Sequence, residues 1–292
     1  MSCLRIPLGV ILLWALVALL APVLPLSPNS IDLPHILTPG SPNEWLGYDD
    51  LGRPVFDRLL VGARTSFLVA VAVVGVSLVI GSLLGTVGAY AGGWLDLVLV
   101  RVMDVFLAFP GILLAIALAG VMGPGIDNVV IALSVVSWVG YARLARAQVL
   151  SMKERDHVYA AVAVGTPPPQ IIARHVLPLI SAPLIVEASF GMASVVIGEA
   201  GLSFLGLGVQ PPTASWGSMI RDGTRYMLVA PHVVIAPGLA LMGVVLSVNV
   251  LGDRLRDWLD VKSQTRKISL LSHQGRGEDK SPLPSREGGE RY

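Results

Sequence analysis

The sequence is short of charge and nearly without cysteine. Asp, Glu, Lys and Arg make up 14% of its 292 residues, against about 25% in soluble domains. The single Cys3 allows no intrachain disulfide and no cysteine-based metal site. It precedes the first apolar run, so it is not a lipobox cysteine. A P-loop needs a Gly-Lys pair to set the lysine on nucleotide phosphates. None of the four lysines follows a glycine, so the chain by itself is no P-loop ATPase. No histidine opens an HExxH and no serine sits in a GxSxG, which removes two common hydrolase classes. The five histidines (His35, His157, His175, His232, His273) are scattered between loops and span ends, and no metal site is expected within the chain. A net charge of +1 gives no general pull toward nucleic acid or any other charged partner.

What is abundant is apolar: 53% of residues are hydrophobic. A bilayer-spanning helix takes roughly 20 mostly apolar residues. Six runs qualify, at about 6–26, 66–91, 97–122, 126–148, 182–208 and 229–251. The composition predicts an all-α polytopic membrane protein with six transmembrane helices. Arg5 ahead of the first run resembles a signal peptide. The run to Leu26 exceeds a usual signal core, however, and no small-x-small cleavage site stands out, so an uncleaved span is expected.

Orientation follows from the positive-inside rule. With the N-terminus in the cytoplasm, sixteen of the 21 Lys and Arg lie inside; without the tail from Lys262 onward the bias is nine to five. Both termini are therefore expected in the cytoplasm. The chain divides into a first span (1–26), an extracytoplasmic segment with an interfacial helix (27–65), a five-helix core (66–251) with a cytoplasmic loop at 149–181, and a cytoplasmic tail (252–292) whose distal part reads as disordered.

Span 2 carries Gly81 and Gly85, then Gly88 and Gly92, at the small-xxx-small spacing that lets helix backbones approach. Arg101 and Asp104 share one helical face and can pair. Pro110 is expected to kink span 3. A charge at mid-bilayer costs about 2.5–3.5 kcal/mol on insertion scales, so retained ones should face the bundle interior. The candidates are Asp104, Glu187 and Glu199. Only Glu199 is deep, and it reads equally as a helix-packing hydrogen bond or a pore-facing group.

The loop "SMKERDHVYAAVAVGTPPPQIIARHVLP" is unusual. Val158 to Val164 is apolar and mostly small, yet far too short to cross a bilayer. The pattern predicts a helix ending at Gly165 in a left-handed cap, then a second helix capped by Thr166, with Pro167 first and a stop at Pro178. Such a helix–Gly–helix elbow outside the membrane needs a partner, or the protein's own underside, to cover its apolar face. An ordinary interhelical loop is the alternative.

This stretch resembles the EAA loop of ABC importer permeases: E-A-A, three residues, G, nine residues, I-x-L-P. Ala160, Ala161, Gly165, Leu177 and Pro178 match in register. Tyr159 stands where Glu is usual, and His175 at the Ile position. "WLGYDDLGRPVFDRLLVGARTSF", "AYAGGWLD", "DVFLAFP", "KERDHVYAA", "EAGLSFLGLGVQPPTASWG" and "NVLGDRLRDWLD" are similar to the C-type permeases of oligopeptide, dipeptide and nickel importers. The resemblance covers roughly residues 42–261.

It implies a MetI-like ABC type-1 permease fold in a bacterial inner (cytoplasmic) membrane. It also implies a homologous second permease, two ATP-binding cassette subunits and an extracytoplasmic solute-binding protein. No cofactor is expected on this chain, because ATP and Mg would sit on the partner subunits. The implied activity is peptide import without an ATPase site of its own. Nickel or another small solute is the alternative within the family. An ion- or proton-driven carrier is the alternative outside it, and the missing hydrolase motifs disfavour an intramembrane hydrolase.

Overall fold

Proline and glycine decide where each helix stops. The structure, a computed structural model, describes residues 2–42 and 44–275. The helices are α1 (Ser2–Leu20), α2 (Val55–Ala91), α3 (Gly93–Leu107), α4 (Gly111–Met122), α5 (Ile126–Met152), α6 (Asp156–Ala163), α7 (Pro168–Ile171), α8 (Leu177–Phe204), α9 (Trp216–Thr224) and α10 (His232–Gly275). Among the described residues no strand forms beyond one isolated bridge, Tyr48 to Pro54. The described residues fall into two units, one up to Asp253 and one from Arg254 onward. In the second, residues 254–275 are helical.

Val55–Ala91, Ile126–Met152, Pro168–Phe204 and His232–Leu259 are long and apolar enough to cross a bilayer. The 19 residues of α1 span about 28 Å, close to the ~30 Å hydrocarbon thickness. The expected third span, 97–122, is not one straight helix. Pro110 lacks an N–H and starts α4 in an extended conformation, and α3 and α4 meet at 85°.

Three further expectations change. The segment before residue 66 is no separate interfacial helix. No proline follows Pro54 within α2, and its 37 residues run unbroken for about 55 Å. The second loop helix does not stop at Pro178, because residues 168–204 form one helical path. A wider turn at Ile172–Val176 absorbs the proline: Leu177 N–H donates to Ile172 O, five residues back. In the tail, residues 262–275 are helical rather than disordered, because no Gly or Pro interrupts α10 between Gly252 and Gly275. Residues 276–292 lie outside the described part.

The centre is α2 laid along α5. Ser66, Val69, Val73, Ser77, Gly81, Gly85 and Gly88 form one buried stripe of α2 at helical spacing. A Cβ at Gly81 would strike Trp138 O and come within 2.8 Å of Tyr141 Cβ. One at Gly85 would strike Ala142 O, and one at Gly88 would approach Leu99 Cδ2 of α3 to 2.6 Å. Gly92 differs from these three. Nothing lies within 4 Å of it, and its φ of +67° ends α2, so its role is the turn and not packing. The opposite face of α2 exposes Leu68, Val76, Ile80, Leu83 and Val87. Large apolar groups outside and small ones inside suit a helix surrounded by hydrocarbon, where close packing drives association.

Aromatic and charged groups fix the ends. Trp14 Nε1 donates to Ala63 O (2.9 Å), and Trp216 Nε1 to Leu59 O (3.1 Å). The two indoles stack at 6.0 Å, tying α1, α2 and α9 together. Before α2, Arg53 Nε donates to Asp49 Oδ2 at 2.7 Å, and Arg58 Nε lies 3.4 Å from the same oxygen. All three side chains are buried. Burial, and then the charge of Asp49, push the Asp50 carboxyl above the usual aspartate range despite Arg53 at 3.5 Å.

Candidate functional site

The elbow is built by a turn that only its sequence allows. After α5, residues 153–155 turn and Arg155 precedes α6. At the other end Gly165 adopts φ +80°. Its N–H donates to Val162 O (2.9 Å), and Thr166 N–H donates to Ala161 O (3.1 Å). Those two bonds are a Schellman cap, which satisfies carbonyls left open at the helix end. Thr166 does not cap the next helix as expected. Pro167 occupies that position with no side-chain bond, and Pro168 and Pro169 supply the first turn, where missing N–H groups cost nothing.

The elbow has two faces. Val158, Ile171, Val176 and Ile180 are buried in a cluster with Ala89, Tyr141, Ala145 and Val149 of α2 and α5. Ala161 and Leu177 pack against that cluster, half-buried. Lys153 Nζ reaches Ala89 O, at 3.5 Å, near the C-terminus of α2. The other face is open. Tyr159 is 60%, Val162 54% and Val164 85% exposed, with Ala160 and Ala163 beside them. A contiguous set of exposed small and apolar groups, on a segment outside the candidate spans, suits docking into a partner's groove. His175 is half-buried, its ring 6.4 Å from that of His157, and Pro178 is exposed.

The three acidic candidates lie apart. Glu199 is 1% exposed; Ser66 Oγ donates to its Oε2 (2.9 Å) and Ser203 Oγ to its Oε1 (2.7 Å). Its carboxyl thus links α8 to α2. Glu187 is half-buried and faces Gly140 of α5. Asp104 is exposed, 3.9 Å from Arg101. An apolar cavity of about 500 Å³ opens between α4, α5 and α8, with Ser137 and Ser194 as its polar points. Sequence reading missed a bidentate pair between helices, Arg146 Nε to Asp96 Oδ1 (2.6 Å) and Nη2 to Oδ2 (2.7 Å). Fifty residues separate the partners, so no local spacing announces them. Among the described residues no group of three or more His, Cys, Asp or Glu could hold a metal ion.

A bundle of long apolar helices carrying such an elbow defines a membrane transport subunit. Residues 77–264 match the family described as "Binding-protein-dependent transport system inner membrane component", and the chain belongs to it. It is 40% identical over 253 residues to the "Dipeptide transport system permease protein DppC" of Alkalihalophilus pseudofirmus, covering 86% of this chain and 83% of that one. It is 42% identical over 234 residues to the "Glutathione transport system permease protein GsiD" of Pectobacterium atrosepticum, covering 80% and 78%. Among solved structures, an inward-facing MetNI methionine ABC transporter chain is similar at TM-score 0.58 and 19% identity, over 70% of this chain and 97% of that one. The fold is the MetI-like permease fold.

Proposed function

We propose that this chain is one of two membrane subunits of an ATP-driven peptide importer in a bacterial inner membrane. A homologous permease pairs with it, two ATP-binding cassette subunits dock on the cytoplasmic side, and a solute-binding protein delivers cargo from outside. The observation that carries this reading is the elbow, whose inner face is anchored to α2 and α5 and whose outer face, with Tyr159, Val162 and Val164, is left open. Relatives named as dipeptide and glutathione permeases support the peptide cargo. In this reading α1 and the bent α3–α4 pair each count as a span, which gives six spans with both termini inside.

Alternating access follows from the mechanics. Closure of the ATPase pair pushes the elbow, and the anchored inner face passes the motion to α2, α5 and α8. Tyr159 replaces the family's acid, so the contact there relies on an amphipathic ring rather than a carboxylate. Glu199 acts in helix packing, since both carboxyl oxygens accept hydroxyl bonds.

The test is the complete transporter in proteoliposomes, with labelled dipeptide uptake and ATP hydrolysis measured together. Gly165→Val cannot hold a φ of +80° without strain, so the angle between the loop helices should change. Hydrolysis should persist while uptake is lost. Normal coupled uptake in that variant, or wild-type uptake driven by an ion gradient without ATP, would overturn the reading.

A further inference from the structure

α1 runs close along α2, but neither runs close to α10. The space left between them is an apolar cavity of about 250 Å³. Leu13 and Val17 of α1, Leu60 of α2, and Leu239 and Gly243 of α10 are among its walls. Trp14 and Trp216, both buried and stacked on each other, form its floor. Leu13 is 60% and Leu239 57% exposed, so the cavity opens outward between α1 and α10.

Chemistry excludes water as the filling, because a buried water needs about 2–4 polar partners. The only polar side-chain atoms on the walls are the two indole N–H groups, and these are already given to Ala63 O and Leu59 O. Leaving the space empty is costly too, since the lining atoms then lose their dispersion partners. Size excludes a helix. From Val10 to Val17 the cavity follows α1 for about 10 Å, which leaves a mean cross-section of about 25 Å². A helix about 10–12 Å across covers about 80–110 Å². A single hydrocarbon chain is the filling that remains, and depth agrees with it. Val10 to Val17 is the middle of α1, and Leu239 and Gly243 lie about 10–17 Å along α10 from His232. Both walls therefore fall inside a bilayer core of ~30 Å. A Cβ at Gly243 would meet nothing within 4 Å, so no protein group already covers that wall.

We propose that this cavity holds one acyl chain of a bilayer phospholipid, which takes the place of side-chain contact between α1 and α10. The headgroup goes unread, because no charged side chain and no free donor lines the cavity. Inside a bilayer the lipid tail gains nothing from leaving water. It is held because it fills a space that no side chain reaches. The site rests on the protein spanning a membrane and not on what the transporter carries.

The experiment is photo-crosslinking of the full-length protein in liposomes. A small fraction of the phospholipid carries a diazirine midway along one acyl chain, under either an ethanolamine or a glycerol headgroup. Labelled residues are located by peptide mass spectrometry. Val10 and Gly243 should be labelled more heavily than Leu12 and Leu19, which are exposed on the other side of α1. The two headgroups should give the same pattern. Gly243→Leu fills the cavity and should cut labelling at Val10 about tenfold relative to Leu19, a mid-range overpacking penalty. Gly238→Leu, on the same helix but off the cavity, should leave that ratio unchanged. Ala240→Leu is a second filling variant, and each variant is first checked for wild-type elution on size exclusion. Equal labelling of Val10 and Leu19 in the wild type would overturn the site, since bulk lipid alone gives that result. Full labelling of Val10 in Gly243→Leu would overturn it as well, as would a preference for one headgroup. Labelling of Val10 that is present in the lone protein and lost in the complete transporter would also overturn it, assigning the slot to a partner subunit.

Discussion

The α2–α5 contact can be tested with one substitution placed at two sites. Gly85 and Gly75 both lie inside α2 with ordinary helical φ. At Gly85 an added Cβ meets Ala142 O head-on and lies 2.9 Å from Ala142 C; at Gly75 nothing is within 4 Å. Gly→Ala gains a similar helix propensity at both positions, up to about 1 kcal/mol. Propensity therefore cancels when the two variants are compared, and the contact remains. The clash at Gly85 involves backbone, which cannot rotate away, so α2 must lift from α5. A gap of 0.5–1 Å already forfeits a quarter to a half of each dispersion contact. Overpacking of this kind costs about 1–3 kcal/mol. The assay is thermal stability of the full chain in detergent, read as the fraction surviving size exclusion after heating. Gly85→Ala should melt below wild type, and Gly75→Ala at or above it. If Gly85→Ala melts with or above Gly75→Ala, the close approach of α2 and α5 is wrong.

Ser66→Ala should destabilise by about 1–3 kcal/mol, because it removes a donor from the buried Glu199 carboxyl. In a Glu199→Gln background the same change should cost a different amount, and strict additivity in the double-mutant cycle would deny the contact. For Asp50 the raised pKa fixes the sign. The folded chain binds this proton more tightly than the unfolded chain does, so the ionised form is a liability that disappears as pH falls through the raised pKa. Asp50→Asn should therefore raise the melting temperature at neutral pH, with the advantage shrinking in acid. A constant advantage across the titration would exclude this cause.

Legibility followed locality. Gly165 was readable because one residue type fits its left-handed turn. The break at Pro110 was readable because proline cannot donate, though its 85° size was not. Pro178 misled for the opposite reason. A proline normally ends a helix, but in the chain it is tolerated where the preceding turn widens, and no single residue type marks that widening. Gly92 shared its spacing with Gly81, Gly85 and Gly88, yet spacing cannot separate a packing glycine from a turn glycine. The Asp96–Arg146 pair was invisible because it depends on how distant segments are brought together, and Asp49–Arg58, nine residues apart, because it depends on an irregular loop with no repeating spacing.

The widened turn at Ile172–Val176 also has a bearing on chain length. A five-residue hydrogen-bond step takes up one residue more than a helix needs. The wider turn takes up the rotation of that extra residue, so deleting one residue there would close the ordinary ladder with the elbow near its present heading. Deleting one from a regular stretch of α8 would instead swing everything on the elbow side about 100° around the helix axis. Tyr159 and Val162 would then point elsewhere with no side chain altered. The heading of the elbow is thus stored as a count of residues in the regular helix, and the widened turn is the place where one residue can be added or lost without changing it.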